Sequence, residues 1–461
     1  MSSLGFQRIY RSIQETDGHM CERAFLPDRG AHDEKPVTYE SKSLLTDFPV
    51  VALSVAYELE LAGLIQLLEA SSIPALREER DERHPFILAG GPLTFSNPVP
   101  LAPYVDAVIM GEAEGVVADV LSTIAGCSSR AEALSKLACM PHVFVPEHHG
   151  ETLPSLAQCD DDLLPAWGPI MTPHAELSNM FLIETERGCS RGCTYCVMRR
   201  STNGGMRIVD PDRVLSVVPE IAKRVGLVGA AVSDHPKVVE IVSALAERGC
   251  EVGLSSLRPD RLNDRFVAAL KAGGYRTLTT AMDGASERLR DKIERRTRVK
   301  HLERAAELVR AHRLNRLKLY LMIGLPSETD DDIDECVAFL SELSRRAPVS
   351  LGIAPFCAKR NTPLDGEPFA GIDVVRARLA RLTRGLRGKV DVRATSARWA
   401  WVEYVLAQGG AAEGRAVLDA VHGGGSFDAY RKAFAGLDRT PGRRSLRVWG
   451  EGARAVLEGG S

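Results

Sequence analysis

Three of the chain's ten cysteines share one short loop, Glu186-Arg187-Gly188-Cys189-Ser190-Arg191-Gly192-Cys193-Thr194-Tyr195-Cys196, at the spacing C-x3-C-x2-C. Thiolates are soft ligands, and three of them this close can hold three corners of a [4Fe–4S] cube. The fourth iron then has no protein ligand, and an open coordination position marks a metal centre as reactive and not only structural. Gly188 and Gly192 let the backbone wrap closely, and Tyr195 stands just before the last cysteine. For three cysteines alone, a structural zinc loop is the plainer alternative. The other seven, Cys21, Cys127, Cys139, Cys159, Cys250, Cys336 and Cys357, are scattered, and in a large chain such cysteines read as small apolar packing residues.

The elements around the loop predict how it is held. From about 178 to 360 strand and helix patterns alternate. Candidate strands are Met180–Thr185, Leu227–Ser233, Glu251–Leu257, Arg276–Asp283, Leu317–Gly324 and Val349–Phe356; the helical patterns between them are Val214–Val225, Val238–Glu247, Leu262–Ala272, His301–His312 and Asp331–Ser344. Six such units fit a partial parallel (β/α)6 barrel, whose chemistry lies at the C-terminal ends of the strands. The cysteines follow the first strand, on that edge. Residues 1–125 read as a doubly wound, Rossmann-like α/β domain, with short Val-rich or apolar runs at Pro49–Val55, Pro85–Ala89 and Val105–Met110 stopped by Gly90-Gly91-Pro92 and Gly111-Glu112. Residues 126–176, broken by six prolines, are expected as a linker, and 361–461 as a mostly helical region with flexible glycines at Gly423–Gly425 and Gly459-Gly460-Ser461.

Composition narrows the classes. The 461 residues are 44% hydrophobic and 26% charged, ordinary for a globular protein, and 58 Lys and Arg against 61 Asp and Glu leave a net charge of −3. That balance gives no case for bulk binding to nucleic acid or to an anionic membrane. No run of about 18 apolar residues is present, and the start lacks an apolar signal core. The expectation is a cytoplasmic protein of about three domains.

With these residues in view, the chain resembles the radical S-adenosylmethionine (SAM) superfamily, whose signature is CxxxCxxC with an aromatic residue before the last cysteine. The resemblance implies an enzyme: Cys189, Cys193 and Cys196 hold the cluster, the open iron takes the amino and carboxylate groups of S-adenosylmethionine, and one electron cleaves the sulfonium to a 5′-deoxyadenosyl radical. Cofactors carry that chemistry while the protein positions and shields it. Other strand ends match in part. Ser233-Asp234-His235-Pro236 stands where the family carries a Gly-Gly-Glu-like stretch, without the glutamate; Ser233 and Asp234 offer acceptors, or only a helix cap. Arg258 could pair with the methionine carboxylate, or be a surface arginine before Pro259. Ala281–Arg290 resembles P-E-x-G-S-x-R, with Ser286 and Arg288 matching and Asp283 matching nothing obvious. Ile323-Gly324-Leu325-Pro326-Ser327-Glu328-Thr329 resembles G-x-P-x-E-T, whose apolar residues flank adenine and whose glutamate caps the next helix. Asn361-Thr362-Pro363 resembles a substrate-side segment.

The region before the barrel resembles the cobalamin-binding architecture and an uncharacterised group of cobalamin-domain-like radical enzymes, through Leu4–Gln7, Glu22–Pro27, Tyr57-Glu58-Leu59, Gly90-Gly91-Pro92 and Asn97-Pro98. Gly90 and Gly91 could approach a corrin ring, although the Asp-x-His-x-x-Gly ligand motif is absent from Asp17-Gly18-His19-Met20-Cys21-Glu22. The resemblance thus admits cobalamin as a further cofactor and a methyltransferase role. It implies an electron donor such as flavodoxin or ferredoxin, a substrate that is a small molecule, a peptide or RNA, and no membrane. Two alternatives stand beside it. One is methylthiotransferase-like modification of RNA or a ribosomal protein, disfavoured because Cys21, Cys127, Cys139 and Cys159 are too scattered for a second cluster. The other is a non-catalytic iron–sulfur sensor or scaffold. Trp399 and Trp401 would share a face in a strand, for packing or for base stacking.

Overall fold

A computed structural model describes residues 2–27, 35–199, 204–255 and 257–437. Ser256 and the Gly/Arg-rich end, with Gly459-Gly460-Ser461, lie outside the described residues. The chain forms two compact units. One takes the residues up to Gln7, Leu164–Ala358 and Glu367–Trp401; the other takes Arg8–Leu163, Lys359–Gly366 and the chain from Val402.

The second of these units is built on a four-stranded sheet in the order β1 (Val50–Ser54), β2 (Phe86–Gly90), β3 (Ala107–Ile109), β4 (Val143–Phe144). The first three are parallel, and β4 runs antiparallel to β3. Residues 126–163 are therefore no linker. The helix Arg130–Ala138 begins at the Ser129 cap and is pinned to the sheet by a buried charge, with Arg130 Nη1 2.7 Å from Asp106 Oδ2. That same oxygen accepts the Ile87 N–H at 2.6 Å. The prolines, taken as loop markers, flank these short elements and do not interrupt them.

The chain's end also departs from the expected separate tail. Asn97, fully buried, donates through Nδ2 to the carbonyls of Leu406, Ala407 and Gly409 at 2.8–3.2 Å, closing the orphan carbonyls at a helix end. Tyr104 Oη donates to Gly414 O at 2.8 Å. A side chain at Gly414 would collide with the Pro100 carbonyl. The helices Ala411–His422 and Phe427–Ala433 thus belong to this unit.

The cysteine-bearing unit holds two parallel sheets. One is ordered β5 (Phe181–Glu184), β8 (Arg224–Val228), β9 (Glu251–Leu254); the other is β10 (Thr277–Asp283), β11 (Arg316–Ile323), β12 (Val349–Pro355), β13 (Asp391–Ala394). A parallel bridge between Leu257 and Thr280 joins them, with the Leu257 N–H donating to Thr279 O at 2.8 Å. Seven parallel strands therefore succeed one another where six were expected; β13 lies in the region expected to be helical. A hairpin of β6 (Glu186–Gly188) and β7 (Met206–Ile208) leaves the end of β5.

Most helices fall as the periodicity requires: Val238–Glu247 has its expected bounds, and Asp264–Ala272, Val299–Ala311 and Asp330–Arg346 shift by one or two residues. The expected helix Val214–Val225 is instead Pro211–Val217, started by the Asp210 cap. Pro219 stops it: Val218, before the proline, takes ψ 114°, because the proline ring disfavours helical geometry in its predecessor. The freed residues then form β8 three residues earlier than expected. Trp399 and Trp401 lie on the helix Ala397–Gln408, so at helical spacing they do not share a face. No helix among the described residues is long and apolar enough to cross a membrane.

Candidate functional site

Parallel strands carry their C-terminal ends to one edge, and the cysteine loop springs from that edge. Arg187 holds its root: Nε lies 2.7 Å from Glu184 Oε1 and Nη2 donates to Oε2 at 2.9 Å, the two-pronged geometry arginine makes with a carboxylate. Gly188 then turns the chain at φ 84°. Cys193 is buried, Cys189 and Cys196 are half-buried, and all three are free thiols. Burial raises the pKa of Cys189, and it pushes Cys196 up to about 11, with the charges of Cys193 and Cys189 adding to the rise. Among the described residues no three His, Cys, Asp or Glu side chains are placed to share a metal ion. A [4Fe–4S] core makes no such demand, because it gives each thiolate its own iron. Three thiols within each other's electrostatic reach fit a cationic core that would ionise them.

Ser233, Asp234 and Arg258 do come together, but the acceptors are engaged. Arg191, from the cysteine loop, places Nε 2.8 Å from Asp234 Oδ2 and Nη2 3.3 Å from Asp260 Oδ2. Asp234 also binds Arg261 Nε at 2.9 Å, and Arg258 Nε lies 3.1 Å from Asp260. Ser233 Oγ accepts the Arg258 N–H at 2.9 Å. Burial pulls the Asp234 carboxyl upward, but its bonds and charges with Arg191, Arg258 and Arg261 outweigh that and hold it below the usual carboxylate range. Asp234 thus fastens the cysteine loop to the end of β8; it is not an open acceptor.

On the other side of the loop, Tyr195 Oη donates to Asp283 Oδ2 at 2.8 Å. Arg295 Nε lies 2.6 Å from the same oxygen. The segment carrying Arg295 is bonded to the loop, with the Thr194 N–H donating to Ile293 O at 3.1 Å. Asp283, which matched nothing in the resemblance, is the hub of this contact.

The remaining matched residues serve the fold. Ser286 caps the helix Glu287–Lys292, accepting the Leu289 N–H at 3.2 Å, and donates to Asp332 Oδ1 at 2.5 Å. Arg288 pairs with the same carboxylate at 2.5 Å. Both side chains are engaged with Asp332. Ile323 is fully buried at the end of β11 and is not an exposed wall for adenine. Gly324 is required by φ 83° and by Ala370 Cβ, 3.2 Å from where its own Cβ would sit. Glu328 accepts the Gly324 N–H at 2.8 Å and pairs with Arg378 at 3.0 Å; the cap of the next helix is Thr329 with Asp332. Gly90 and Gly91 lie in the other unit. A Cβ on Gly91 would meet Val55 O at 2.7 Å, and one on Gly90 would sit 3.6 Å from Ile109 O. The close packing of this turn is with its own strand ends. Asn361 donates to Phe95 O at 3.0 Å within that unit.

One buried carboxylate escaped the sequence reading. Glu186 on β6 is fully buried. One of its oxygens accepts the Ala231 N–H at 2.7 Å, and the other has no hydrogen-bond partner among the described residues. Its carboxyl fills the space a side chain would need at Gly229. In the sequence it stands among Glu184, Thr185 and Arg187, and nothing local marks it as the buried one. Burial pushes its pKa up to about 7, with the Ala231 bond opposing and the charges of Glu184 and Asp234 assisting. An unfolded glutamate titrates near 4.3. Between those values the folded state binds the extra proton, so stability falls as pH rises through that window. Glu186→Gln, which keeps an acceptor but cannot ionise, should be more stable than the parent by about 3 kcal/mol near pH 8, with the difference gone near pH 4. Urea midpoints across pH check this; a parent as pH-independent as the variant would contradict it.

Comparison with known proteins gives two matched regions. Residues 183–340 match the radical SAM superfamily, and residues 5–146 match the N-terminal region of radical SAM proteins. An uncharacterized protein of Methanocaldococcus jannaschii is 28% identical over 339 residues, 72% of this chain and 71% of its own length. An uncharacterized methyltransferase of Pyrococcus horikoshii is 21% identical, over 56% of this chain and 58% of its own. Among solved structures, the cobalamin-dependent S-adenosylmethionine radical enzyme OxsB is 14% identical with a TM-score of 0.44, over 64% of this chain and 44% of that one. The chain thus spans less than two thirds of the methyltransferase and of OxsB.

Proposed function

We propose that this chain, a radical SAM protein by its two matched regions, holds a [4Fe–4S] cluster on Cys189, Cys193 and Cys196 and uses it to cleave S-adenosylmethionine reductively. The carrying observation is the loop itself: three free thiols at C-x3-C-x2-C within the matched region, on the C-terminal edge of a parallel sheet. The cluster would supply the electron that splits the sulfonium to methionine and a 5′-deoxyadenosyl radical. The two three-stranded and four-stranded sheets, joined at Leu257 and Thr280, form the partial barrel of this reading. Arg187 and Glu184 fix the root of the loop, Arg191 and Asp234 hold one flank, and Tyr195 and Asp283 hold the other. These ties pre-order the ligands, so less freedom is lost when the cluster is bound. The partly buried thiols limit the access of water to a reactive centre. The reductant is an external one-electron carrier of flavodoxin or ferredoxin type, and the substrate is a small molecule, a peptide or RNA.

Methyl transfer is the finer reading that the name of the Pyrococcus horikoshii relative favours. The glycine turns of the other unit offer no opened cradle for a corrin: the space above Gly91 is filled by Val55, and that above Gly111 by Ala157 O at 2.5 Å. Purification in hydroxocobalamin tests for cobalamin directly, a corrinoid absorbance spectrum on the purified protein being the positive result. For the main reading, anaerobic reconstitution should give about four irons per chain. Its reduced paramagnetic signal should change when S-adenosylmethionine is added, as the open iron gains ligands. A four-iron protein whose signal ignores S-adenosylmethionine would favour a scaffold.

A further inference from the structure

Three residues other than glycine take left-handed backbone conformations in the segments that meet the cysteine loop: Asp283 at φ 65°, Glu294 at 53° and Arg296 at 57°. Such conformations are costly and persist where the surroundings over-determine them, often at functional sites. Two of them flank Arg295. The third ends β10 at a register irregularity between Ala281 and Asp283, the kind of bulge that re-aims a side chain. Their joint result is one contact. Asp283 and Arg295 meet at 2.6 Å with side chains only 14% and 11% exposed, and Tyr195 Oη donates to the same carboxylate oxygen. Cys193 Sγ lies 3.9 Å from the carbonyl oxygen of Glu294, the residue before Arg295, and the Arg295 guanidinium lies within electrostatic reach of the Cys193 sulfur.

We propose that Arg295, aimed by Asp283 and Tyr195, holds a fixed positive charge against the Cys193 sulfur and thereby raises the reduction potential of the cluster. This rests on the reading that Cys189, Cys193 and Cys196 hold that cluster. Reduction adds one electron, so a nearby cation favours the reduced form, more strongly where water is excluded. The charge is permanent, because a guanidinium does not deprotonate in proteins. Asp283 and Tyr195 are positioning residues: the carboxylate orients the guanidinium, and the phenol donates to the carboxylate and draws off part of its opposing charge. The arrangement makes the two charged partners act in opposite senses on the potential.

The test is a dithionite titration, read by electron paramagnetic resonance, of the anaerobically reconstituted full chain. Arg295→Met should bind iron like the parent but titrate lower: at a fixed potential its ratio of reduced to oxidised cluster should fall about tenfold, about 59 mV for one electron. Asp283→Asn, which removes a negative charge and keeps the arginine, should move the potential upward. Arg295→Lys, keeping charge without the planar fork, should recover most of the loss. An unchanged potential in Arg295→Met, or shifts of the same sign in both variants, would overturn the proposal. If Arg295→Met binds no iron while the parent does, Asp283→Asn decides: an upward shift supports the proposal, and no shift or a downward one overturns it. A parent that binds no iron overturns the cluster reading itself, and iron content tells the two failures apart.

Discussion

Replacing any one of Cys189, Cys193 and Cys196 by alanine should abolish the proposed cluster and, with it, all cleavage of S-adenosylmethionine. In that proposal each thiolate would be the sole protein ligand of its iron in a core with only three such ligands. The loop has no spare thiol to move in: the other described cysteines stand elsewhere, with Cys250, Cys336 and Cys357 buried. Structure should survive, because Cys189 and Cys196 are half-buried on a loop whose root and flanks are tied by Arg187, Arg191 and Thr194. Iron content and the iron–sulfur absorbance check the first part, and an unchanged urea midpoint of the metal-free variant checks the second. Cleavage by a triple variant would remove these cysteines from the mechanism. Cys250→Ala and Cys336→Ala should keep the cluster.

Asp234→Asn should be the most damaging single change at the site that leaves the thiols intact. The Asp234 side chain is 2% exposed and faces three guanidiniums, of Arg191, Arg258 and Arg261. Breaking a buried ion pair from one side leaves uncompensated charge in low dielectric, and the usual cost is about 3 kcal/mol. Arg191 and Arg258 retain Asp260, which limits the loss but cannot hold the loop to the end of β8. The expected result is an unfolding free energy, read from urea denaturation, lowered by that amount together with faster loss of iron to a chelator. A fall in stability with iron retention unchanged would show that Asp234 braces the sheet and not the loop.

These two effects differ in how far the sequence disclosed them. The cysteine loop is legible because ligand spacing is local: eleven residues carry the thiols, the turn glycines and the tyrosine. Strand ends are legible too, since apolar runs stop at polar turns, and the family resemblance points to Asp234 and Arg258 there. Their roles were not legible, because a side chain's partner is decided across the sheet. Asp234 reads as a free acceptor until Arg191, 43 residues earlier, closes on it. Asp283 has no local pattern to explain it, and Tyr195 reaches it over 88 residues. Ser286 and Arg288 match a motif by letter, yet both turn to Asp332 on the helix Asp330–Arg346. The early end of the helix Pro211–Val217 could have been read from Pro219. The return of the chain's end to Asn97 and Tyr104 could not, since single buried hydrogen bonds leave no periodic trace.

The most direct measurement is anaerobic incubation of the reconstituted protein with dithionite and S-adenosylmethionine, followed by chromatography for 5′-deoxyadenosine and methionine. The expected result is both products from the parent chain and neither from Cys193→Ala. An intact four-iron cluster that yields no 5′-deoxyadenosine, or equal yields from the parent and the cysteine variant, would contradict the assignment of Cys189, Cys193 and Cys196 to reductive cleavage.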